Sequence, residues 1–388
     1  MRECEKIKVA IVGYGNLGRG VELAVFESSD MMLTNIFTRR APKSIVPLTR
    51  GIKVLAAAAL DDEKPSFEPP DVLLVCGGSA QDLPQQSPRY AGRYNIVDSF
   101  DNHAEIWEHY EKVEKSARQG GRLAVIAAGW DPGLFSLIRL MSEAVLPCGQ
   151  SLTFWGEGIS QGHSDAIRRI EGVADARQYT IPSSGALEAA RNGSFEETYG
   201  KGLMSMHERR CFVAAEDGAN RERIREEIIH MPNYFEGYKT EVNFVSMEEL
   251  REKHGAMPHG GTVIRSGRTG RALPCPAAAL LSSEKAAADT AAADTRAAVS
   301  RATHQSNSAP IAALEADLHN LKAVSHATLE FSLKLDSNPE FTAGVMTAYA
   351  RAAYRMAKLG ETGARTVFQI PPAMISPLTH AEAVQSFL

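Results

Sequence analysis

The segment that most constrains this chain is an apolar run that leads directly into a glycine-rich turn and a helix-like stretch. Ile7 to Val12 is apolar, Gly13-Tyr14-Gly15-Asn16-Leu17-Gly18 follows, and Val21 to Phe26 has helical spacing. The first glycine suits a tight turn, the second admits a pyrophosphate, and the third lets helix and strand pack closely. The start of the helix then offers unpaired N–H groups to the anion. The pattern predicts a dinucleotide site; the alternative is a glycine-rich turn without a cofactor.

The end of the second apolar run indicates which dinucleotide would bind. Met32 to Phe37 is followed by Thr38-Arg39-Arg40 at the place where the ribose contact is expected. An acidic residue there would favour NAD, whereas arginines offer positive charge and paired donors to a 2′-phosphate. The sequence therefore favours NADP, with a solvated strand end as the alternative reading of Arg39 and Arg40.

Further strand-length apolar runs predict a doubly wound parallel sheet up to about residue 130. They are Val72 to Cys76, Asn95 to Val97 and Leu123 to Ala127. Ligands of such sheets collect at the carboxyl ends of the strands. Three loops follow these runs and are predicted to line the cofactor site: Cys76-Gly77-Gly78-Ser79, Asp98-Ser99-Phe100-Asp101-Asn102-His103 and Ala128-Gly129-Trp130-Asp131-Pro132-Gly133.

Composition is typical of an intracellular enzyme and argues against other classes of protein. The 388 residues are 44% hydrophobic, enough for two or three domains with ordinary cores. Apolar runs are too short to span a membrane, and the N-terminus lacks the apolar region of a secretion signal. A net charge of −5 without a basic tract argues against nucleic acid as a partner. Five cysteines without CxxC spacing favour free thiols in a reducing compartment, the cytoplasm, and argue against a metal site.

The texture changes after residue 150 to alternating strands separated by helical pieces, which suits an α+β domain with a mixed or antiparallel sheet. We predict a Rossmann-type dinucleotide-binding domain over 1–125, with 345–388 returning to pack on it. Residues 126–344 form the predicted substrate-binding and dimerisation domain, which carries an Ala-rich insertion at about 271–323. For the insertion, a helical hairpin and a flexible loop both stay open, and Ile311 to Leu321 offers a narrow apolar seam. Near the end, Asn338 before Pro339 predicts the N-cap of a helix that stops at Gly360.

Several blocks of sequence closely resemble the meso-diaminopimelate dehydrogenase family. They are Val9-Ala10-Ile11-Val12-Gly13-Tyr14-Gly15-Asn16-Leu17-Gly18-Arg19, Asp98 to His103, Gly129 to Gly133, Phe154-Trp155-Gly156, Ser160-Gln161-Gly162-His163-Ser164-Asp165-Ala166, Met257-Pro258-His259-Gly260-Gly261 and Leu333-Lys334-Leu335-Asp336. The resemblance covers nearly the whole chain apart from the insertion. Many dehydrogenases share the glycine loop, but the later blocks are far more specific.

The resemblance implies NADP-dependent, reversible oxidative deamination of the D-centre of meso-2,6-diaminopimelate. The products are L-2-amino-6-oxopimelate, ammonia and NADPH, and family members serve bacterial lysine and cell-wall biosynthesis, typically as homodimers. Such a substrate carries two carboxylates and two ammonium groups, so its pocket needs groups of both signs. In this mechanism, hydride leaves the D-centre Cα for the nicotinamide and water hydrolyses the resulting imine.

The resemblance also assigns substrate residues. Asp101 and Asp131 are the catalytic candidates at the D-centre, where carboxylates would hold the reacting ammonium and favour loss of its proton. Without the family, Asp101 could cap a helix near His103, and Asp131 could start a turn. The substrate-binding candidates are Trp155, Gln161, Gly162, Thr180, Arg209, His259 and Asn338.

Each of these residues also has a purely structural interpretation: a core aromatic for Trp155, a surface charge for Arg209, a loop histidine for His259 and a helix cap for Asn338. His163 is a candidate for the catalytic base, but nothing in the sequence places it near the reacting carbon. Two other functions stay open: a different NADP-linked oxidoreductase, such as one of the dihydrodipicolinate reductase type, and a non-enzymatic NADP-sensing module. The pocket charges argue against both.

Overall fold

The structure is a computed structural model that describes residues 6–200, 202–255, 258–269 and 325–388. The predicted insertion at about 271–323, including Ile311 to Leu321, lies outside the described residues. The chain divides into two compact units. The first consists mainly of residues up to Ile138 together with Leu335–Leu388, and the second of Arg139–Gly255 with the described part of His259–Lys334. The predicted roles of these regions in substrate binding and dimerisation stay predictions.

Strands and helices alternate along much of the described chain. The strands are β1 (Ile7–Val12), β2 (Met31–Thr38), β3 (Lys53–Ala56), β4 (Val72–Val75), β5 (Ile96–Asp98), β6 (Leu123–Val125), β7 (Gly149–Trp155), β8 (Gly158–Ile159), β9 (Val173–Pro182), β10 (His207–Ala215), β11 (Thr240–Phe244), β12 (His259–Thr269), β13 (Ser325–Leu335) and β14 (Gly363–Arg365). The helices are α1 (Asn16–Glu27), α2 (Leu83–Ala91), α3 (Ile106–Gly120), α4 (Leu134–Val145), α5 (Gln161–Arg168), α6 (Ser184–Asn192), α7 (Phe195–Tyr199), α8 (Arg221–Ile229), α9 (Met247–His254), α10 (Asn338–Lys358), α11 (Pro372–Ile375) and α12 (His380–Phe387).

The first unit is built on a seven-stranded parallel sheet with the order β14-β6-β5-β4-β1-β2-β3. Strands β4, β5 and β6 are buried along their whole length, which explains their continuous apolar sequences. From β1 the next two strands are added on one side of the sheet, and from β4 onward the strands are added on the other side. Ligands are expected beyond the carboxyl ends of β1 and β4, where this change occurs. The prediction of a doubly wound Rossmann-type fold is confirmed.

Helices α1 and α10 pack together on one face of this sheet, where their apolar residues share a core with those of β1 and β4. The approach is close at Gly20, where an added Cβ would lie 3.1 Å from backbone atoms of both Pro339 and Glu340. The predicted cap at Asn338 is wrong, since Ser337 is the N-cap and Asn338 is the first helical residue. The Asn338 side-chain oxygen instead accepts a hydrogen bond from the Trp130 indole at 2.9 Å, a contact between distant segments that no local pattern predicts. Gly360, with φ of +85°, ends the helix as predicted.

The second unit contains a four-stranded sheet, β11-β10-β9-β8, and a three-stranded sheet, β13-β12-β7. Strands β9 and β10 pair antiparallel while β10 and β11 pair parallel, so the predicted mixed sheet is confirmed. Apolar residues from α5 and α8 pack with those of β9 and β10 in one core. Across the described part of the chain, the helices are all too short or too polar to span a membrane.

An ion pair between a buried arginine and a half-buried aspartate joins α10 to the turn before β2 and gives a stability prediction. Arg351, 4% exposed, donates from Nε and Nη2 to the carboxylate of Asp30 at 2.5 and 2.8 Å. This hydrogen bond is the main cause of the lowered pKa of Asp30. We expect Asp30→Asn to reduce the free energy of unfolding by ~3 kcal/mol, because it leaves the buried guanidinium without its counter-charge. Urea denaturation at neutral pH measures the loss, with the exposed Asp62→Asn as the control.

The pH dependence follows from the sign of the shift. A carboxyl whose pKa is lower in the folded state stabilises fully above its unfolded-state pKa, here near 3.8, and this contribution is lost as pH falls through the folded value. The difference between wild type and Asp30→Asn should therefore shrink at low pH. A difference that persists unchanged in strong acid would contradict this assignment.

Candidate active site

The glycine loop after β1 has the tight geometry that a dinucleotide site needs. Gly13 has φ of +89° and donates its N–H to the carbonyl of Phe37 at 2.8 Å. A Cβ at Gly18 would lie 2.2 Å from the Gly13 carbonyl oxygen, so this position must remain glycine for the helix to start here. A Cβ at Gly15 would meet nothing within 4 Å, which means that the middle of the loop faces open space. The loop thus combines a packed base with an open approach for a ligand.

The side chain of Tyr14 braces this loop. Its ring is buried, and its hydroxyl donates to the buried carboxylate of Glu22 while accepting from the Leu48 amide at 3.2 Å. Burial and the Glu22 hydrogen bond raise the pKa of Tyr14 to about 12. The Arg40 guanidinium donates to the Tyr14 carbonyl, so it is held against the loop. Contact of Tyr14 with a cofactor is therefore expected through its backbone.

A cavity of about 310 Å³ opens at the carboxyl ends of β1, β2 and β4. It brings together nine of the predicted cofactor residues. They are Gly13, Tyr14, Gly15, Thr38, Arg39, Arg40, Cys76, Gly77 and Gly78. The guanidinium charges of Arg39 and Arg40 stand on the β2 side of the cavity, where a 2′-phosphate would need them. These residues fit NADP.

Asp82 is a cavity residue that sequence reasoning missed. Its carboxylate lies 2.7 Å from Nη1 of Arg39 and accepts from the Gly78 amide at 2.9 Å. It thereby ties the side chain that follows β2 to the loop that follows β4. The sequence around Asp82, which follows Gly78 by four residues, gives no sign of this role, because its partner Arg39 lies 43 positions away.

The loop after β5 is organised by the buried carboxylate of Asp98. Oδ1 accepts from the amides of Phe100 and Ala127 at 3.1 and 3.0 Å, and Oδ2 lies 2.8 Å from Nε2 of His109. Burial alone would raise the pKa of Asp98, but the hydrogen bond and charge interaction with His109 leave it lowered. With no exposed side-chain surface, Asp98 has only its backbone to offer to a cofactor.

The catalytic candidate Asp101 lies in this same loop. Its side chain is exposed, and its amide donates to the Ser79 hydroxyl at 2.7 Å, which joins the loops after β4 and β5. The alternative of a helix cap is wrong, because α3 begins at Ile106 with Glu105 as its N-cap. The backbone of Asp101 is thus held by its hydrogen bond to Ser79, and its carboxylate lies at the surface.

The loop after β6 is tied to α10. The buried Trp130 packs edge-on against Phe135, and its indole N–H donates to the side-chain oxygen of Asn338. Asp131 follows at a half-buried position. Asn338 therefore lies beside the loop that carries Asp131, in the same unit.

In the second unit, Arg209 stands on β10 directly opposite Thr180 of β9. The residue is only 8% exposed, so the alternative of a surface charge is wrong. Its Nη1 donates to the Thr180 hydroxyl at 2.7 Å, and its guanidinium lies 4.1 Å from the centre of the Tyr238 ring. The buried Nε has no hydrogen-bond partner in the described part of the chain. Burial lowers the pKa of Arg209.

Two neutral histidines accompany this guanidinium. Burial and the charge of Arg209 lower the pKa of both His163 and His207 to about 4. His207 accepts a hydrogen bond from the Trp155 amide at 2.9 Å, and its ring stacks on Trp155. Trp155 is 41% exposed, so it is not a core aromatic. Tyr238 and His207 were missed by sequence reasoning, because Tyr238 lies in the turn before β11, and Trp155 and His207 stand on strands of different sheets, so no local pattern links either residue to its partner.

The other predicted substrate residues of this unit lie at the starts of two elements. Gln161 and Gly162 begin α5, and His259 begins β12. His259 is half-buried, and its Nδ1 accepts from the Gly260 amide at 2.8 Å. Among the described residues, no group of three or more His, Cys, Asp or Glu side chains has an arrangement that would hold a metal ion.

Comparison with known proteins places the chain among its relatives. The family model of the diaminopimelic acid dehydrogenase C-terminal domain matches residues 129–274. The meso-diaminopimelate D-dehydrogenase of Acetivibrio thermocellus is 47% identical over 384 residues, which are 99% of this chain and 98% of that protein. This chain belongs to the meso-diaminopimelate D-dehydrogenase family.

Solved structures agree with this membership. The Corynebacterium glutamicum diaminopimelate dehydrogenase in complex with diaminopimelate has a TM-score of 0.74 and 39% identity, covering 99% of both chains. An engineered D-amino acid dehydrogenase bound to NADP+ has a TM-score of 0.69 and 37% identity, covering 99% of this chain and 100% of that one. Both likenesses extend over the two units of this member of the meso-diaminopimelate D-dehydrogenase family.

The glycine loop generates a matched pair of predictions. We expect Gly15→Ala to keep the stability of the protein but weaken NADPH binding at least about tenfold, since the new methyl group projects into the cavity where the pyrophosphate would lie. Gly18→Ala should instead lower the melting temperature as well, because its methyl group collides with the Gly13 carbonyl. NADPH fluorescence titration and thermal melting separate the two effects. Equal stability of both variants would refute the steric assignment.

Proposed function

We propose that this chain is an NADP-dependent meso-diaminopimelate D-dehydrogenase. It converts the D-centre of meso-2,6-diaminopimelate reversibly to the oxo group of L-2-amino-6-oxopimelate, with release of ammonia and NADPH, in lysine and cell-wall precursor biosynthesis. The observation that carries the proposal is Arg209, a buried cation without a carboxylate partner among the described residues.

The surroundings of Arg209 favour a ligand carboxylate. A buried charge is costly unless it is paired, and among the described residues this guanidinium has only a hydroxyl and an aromatic face as partners. The arginine fork matches the two oxygens of a carboxylate. Thr180 accepts from Arg209, so its hydroxyl hydrogen is available to the same ligand. We assign Arg209 and Thr180 to the carboxylate of the distal L-centre, together with His259.

The cofactor assignment is supported by the cavity at β1, β2 and β4. The N-terminus of α1 and the glycine loop would hold the pyrophosphate, while Arg39 and Arg40 would hold the 2′-phosphate. To bind that phosphate, the Arg39 guanidinium must either leave the carboxylate of Asp82 or contact both anions at once. When bound, NADP supplies the acceptor for the hydride of the D-centre. The predicted loops at Ser79, Ser99 to Phe100 and Ala128 to Pro132 complete the proposed cofactor site.

At the D-centre we assign catalysis to Asp101 and Asp131. Their carboxylates would hold the reacting ammonium, and one of them would accept its proton as a general base, so that the nitrogen lone pair can form an imine as hydride leaves Cα. Water then adds to the imine carbon, and ammonia leaves. The hydrogen bond from the Asp101 amide to Ser79 supports this assignment, because it would help to hold the carboxylate in line with the substrate. Asn338, Trp155, Gln161 and Gly162 are proposed as further substrate contacts.

The proposal includes a homodimer that works in the cytoplasm, as the family resemblance implies. Within the described residues, β13 is the outer strand of its sheet, and most of its residues are exposed. A row of unpaired backbone groups in such a strand favours pairing or coverage by another chain. The second unit is therefore the proposed dimerisation unit.

The first test measures NADPH formation with meso-diaminopimelate, beside the L,L-isomer and with NAD in place of NADP. We expect activity only with the meso isomer and a strong preference for NADP. Activity confined to another amino acid would refute the substrate assignment and indicate a different oxidoreductase. Cofactor binding without turnover of any amino acid would favour an NADP-sensing module.

The second test replaces the buried arginine. Arg209→Lys keeps the charge but loses the planar fork, so we expect the KM for meso-diaminopimelate to rise about a hundredfold while the KM for NADP stays within twofold. The matched control is Arg210→Lys, the adjacent arginine, which pairs with Glu241 at an exposed position. Similar changes in both variants would argue against a ligand role for Arg209.

A further inference from the structure

We propose that His163 is a further specificity-determining residue: a neutral imidazole whose Nε2–H donates to the distal carboxylate beside Arg209. The inference rests on the proposed function and extends it to a residue without an assigned role. This role differs from that of a catalytic base, because the imidazole would donate its proton in a hydrogen bond rather than accept one.

The position of the ring follows from a chain of contacts. His163 lies in the first turn of α5, and its ring meets Tyr234 and Phe235 edge-on at centroid distances of 5.4 and 5.6 Å. The Phe235 carbonyl accepts from the Tyr238 amide at 3.0 Å, and the Tyr238 ring is the one that underlies Arg209. One short segment therefore supports both the imidazole and the guanidinium.

Helix α5 is itself fixed on the strand that carries Thr180. The Ser160 amide donates to the Gln178 carbonyl, and the Gln178 amide donates to the Ser164 hydroxyl, both at 3.0 Å. These bonds hold the first turn of α5 against β9 two residues from Thr180. The imidazole is thus anchored from both sides.

Hydrogen bonding at Ser160 selects the tautomer of the ring. The Ser160 hydroxyl oxygen caps α5 by accepting from the His163 amide, and it lies 2.5 Å from Nδ1 of the same residue. In the described part of the chain this hydroxyl has no other acceptor for its hydrogen, so the satisfied arrangement is O–H donating to Nδ1. Nδ1 is then an acceptor, and the proton of the neutral ring resides on Nε2.

The charge state of the ring suits a donor beside a cation. Burial is the main cause of its low pKa, and Arg209 is the charged group that adds to it. A protonated imidazole there would repel Arg209, whereas a neutral one adds a donor without adding charge. In the described structure Nε2 has no hydrogen-bond acceptor, which a ligand carboxylate would supply.

The decisive variant is His163→Phe, which preserves the ring contacts with Tyr234 and Phe235 but removes both nitrogens. We expect the KM for meso-diaminopimelate to rise at least about tenfold, as for loss of a hydrogen bond to a charged group, with kcat and the KM for NADP within twofold. The inhibition constant of L-2-aminopimelate, which has the distal amino-acid group but no D-centre ammonium, should rise in parallel.

Two companion variants separate the donor from mere packing. His163→Gln retains an N–H donor and should recover part of the affinity. Ser160→Ala removes the group that fixes the tautomer and should raise the same KM by a smaller factor. The matched control is His254→Phe in the same unit, where the ring stacks on Phe212 at 3.9 Å and bonds to the Tyr179 hydroxyl.

The outcomes distinguish the two proposals. A wild-type protein without activity on meso-diaminopimelate refutes the proposed function itself. An active wild type with an unchanged KM in His163→Phe overturns the role of His163, as does a fall in kcat alone. If His163→Phe fails to fold by thermal melting, an unchanged inhibition constant of L-2-aminopimelate in both His163→Gln and Ser160→Ala overturns it as well.

Discussion

The loops of the first unit depend on one buried carboxylate, Asp98. Its two oxygens satisfy an amide of its own loop, an amide at the end of the β6 run, and the ring of His109 on α3. Its carbonyl also accepts from the Ala128 amide at 2.8 Å. A fully buried charge is tolerated because each of these donors points at it. Two loops of the proposed cofactor site are thereby held together from beneath, without using any group that faces the ligand.

The second unit contains a buried charge of the opposite sign, the guanidinium of Arg209. Arg209 is buried, and among the described residues it contacts a hydroxyl and an aromatic face rather than a carboxylate. The two histidines whose pKa its charge lowers, His163 and His207, are neutral. Such a site keeps its counter-charge requirement open for a ligand, and its low polarity strengthens the attraction when one binds. Tyr238 contributes by covering the guanidinium without neutralising it. A buried arginine is therefore a better indicator of an anionic ligand than an exposed one, because solvent does not compensate its charge.

How far the sequence predicted this arrangement depended on the range of the contacts. The glycine loop, the run of parallel strands and the Arg39-Arg40 pair are local patterns, and the structure places them together at one cavity. The burial of Arg209 was invisible, because it depends on pairing between β9 and β10 and on a turn near Tyr238. Asn338 was misread for the same reason: Asn followed by Pro matches a cap, but an indole 208 positions away uses its oxygen. Asp82 and His109 carry no motif at all.

The low pKa of His163 and of His207 has a consequence for the charge around Arg209. Both imidazoles stay neutral from about pH 5 upward, and Arg209 keeps its proton far above neutrality even with a lowered pKa. Neither of these two imidazoles therefore changes charge over the range in which an unperturbed histidine would titrate. These two imidazoles should then add no pH dependence near neutrality to the binding of a carboxylate by Arg209. Any pH dependence of turnover in that range would then arise from groups other than these two imidazoles, among them the substrate ammonium of the proposed reaction and the groups that receive its proton.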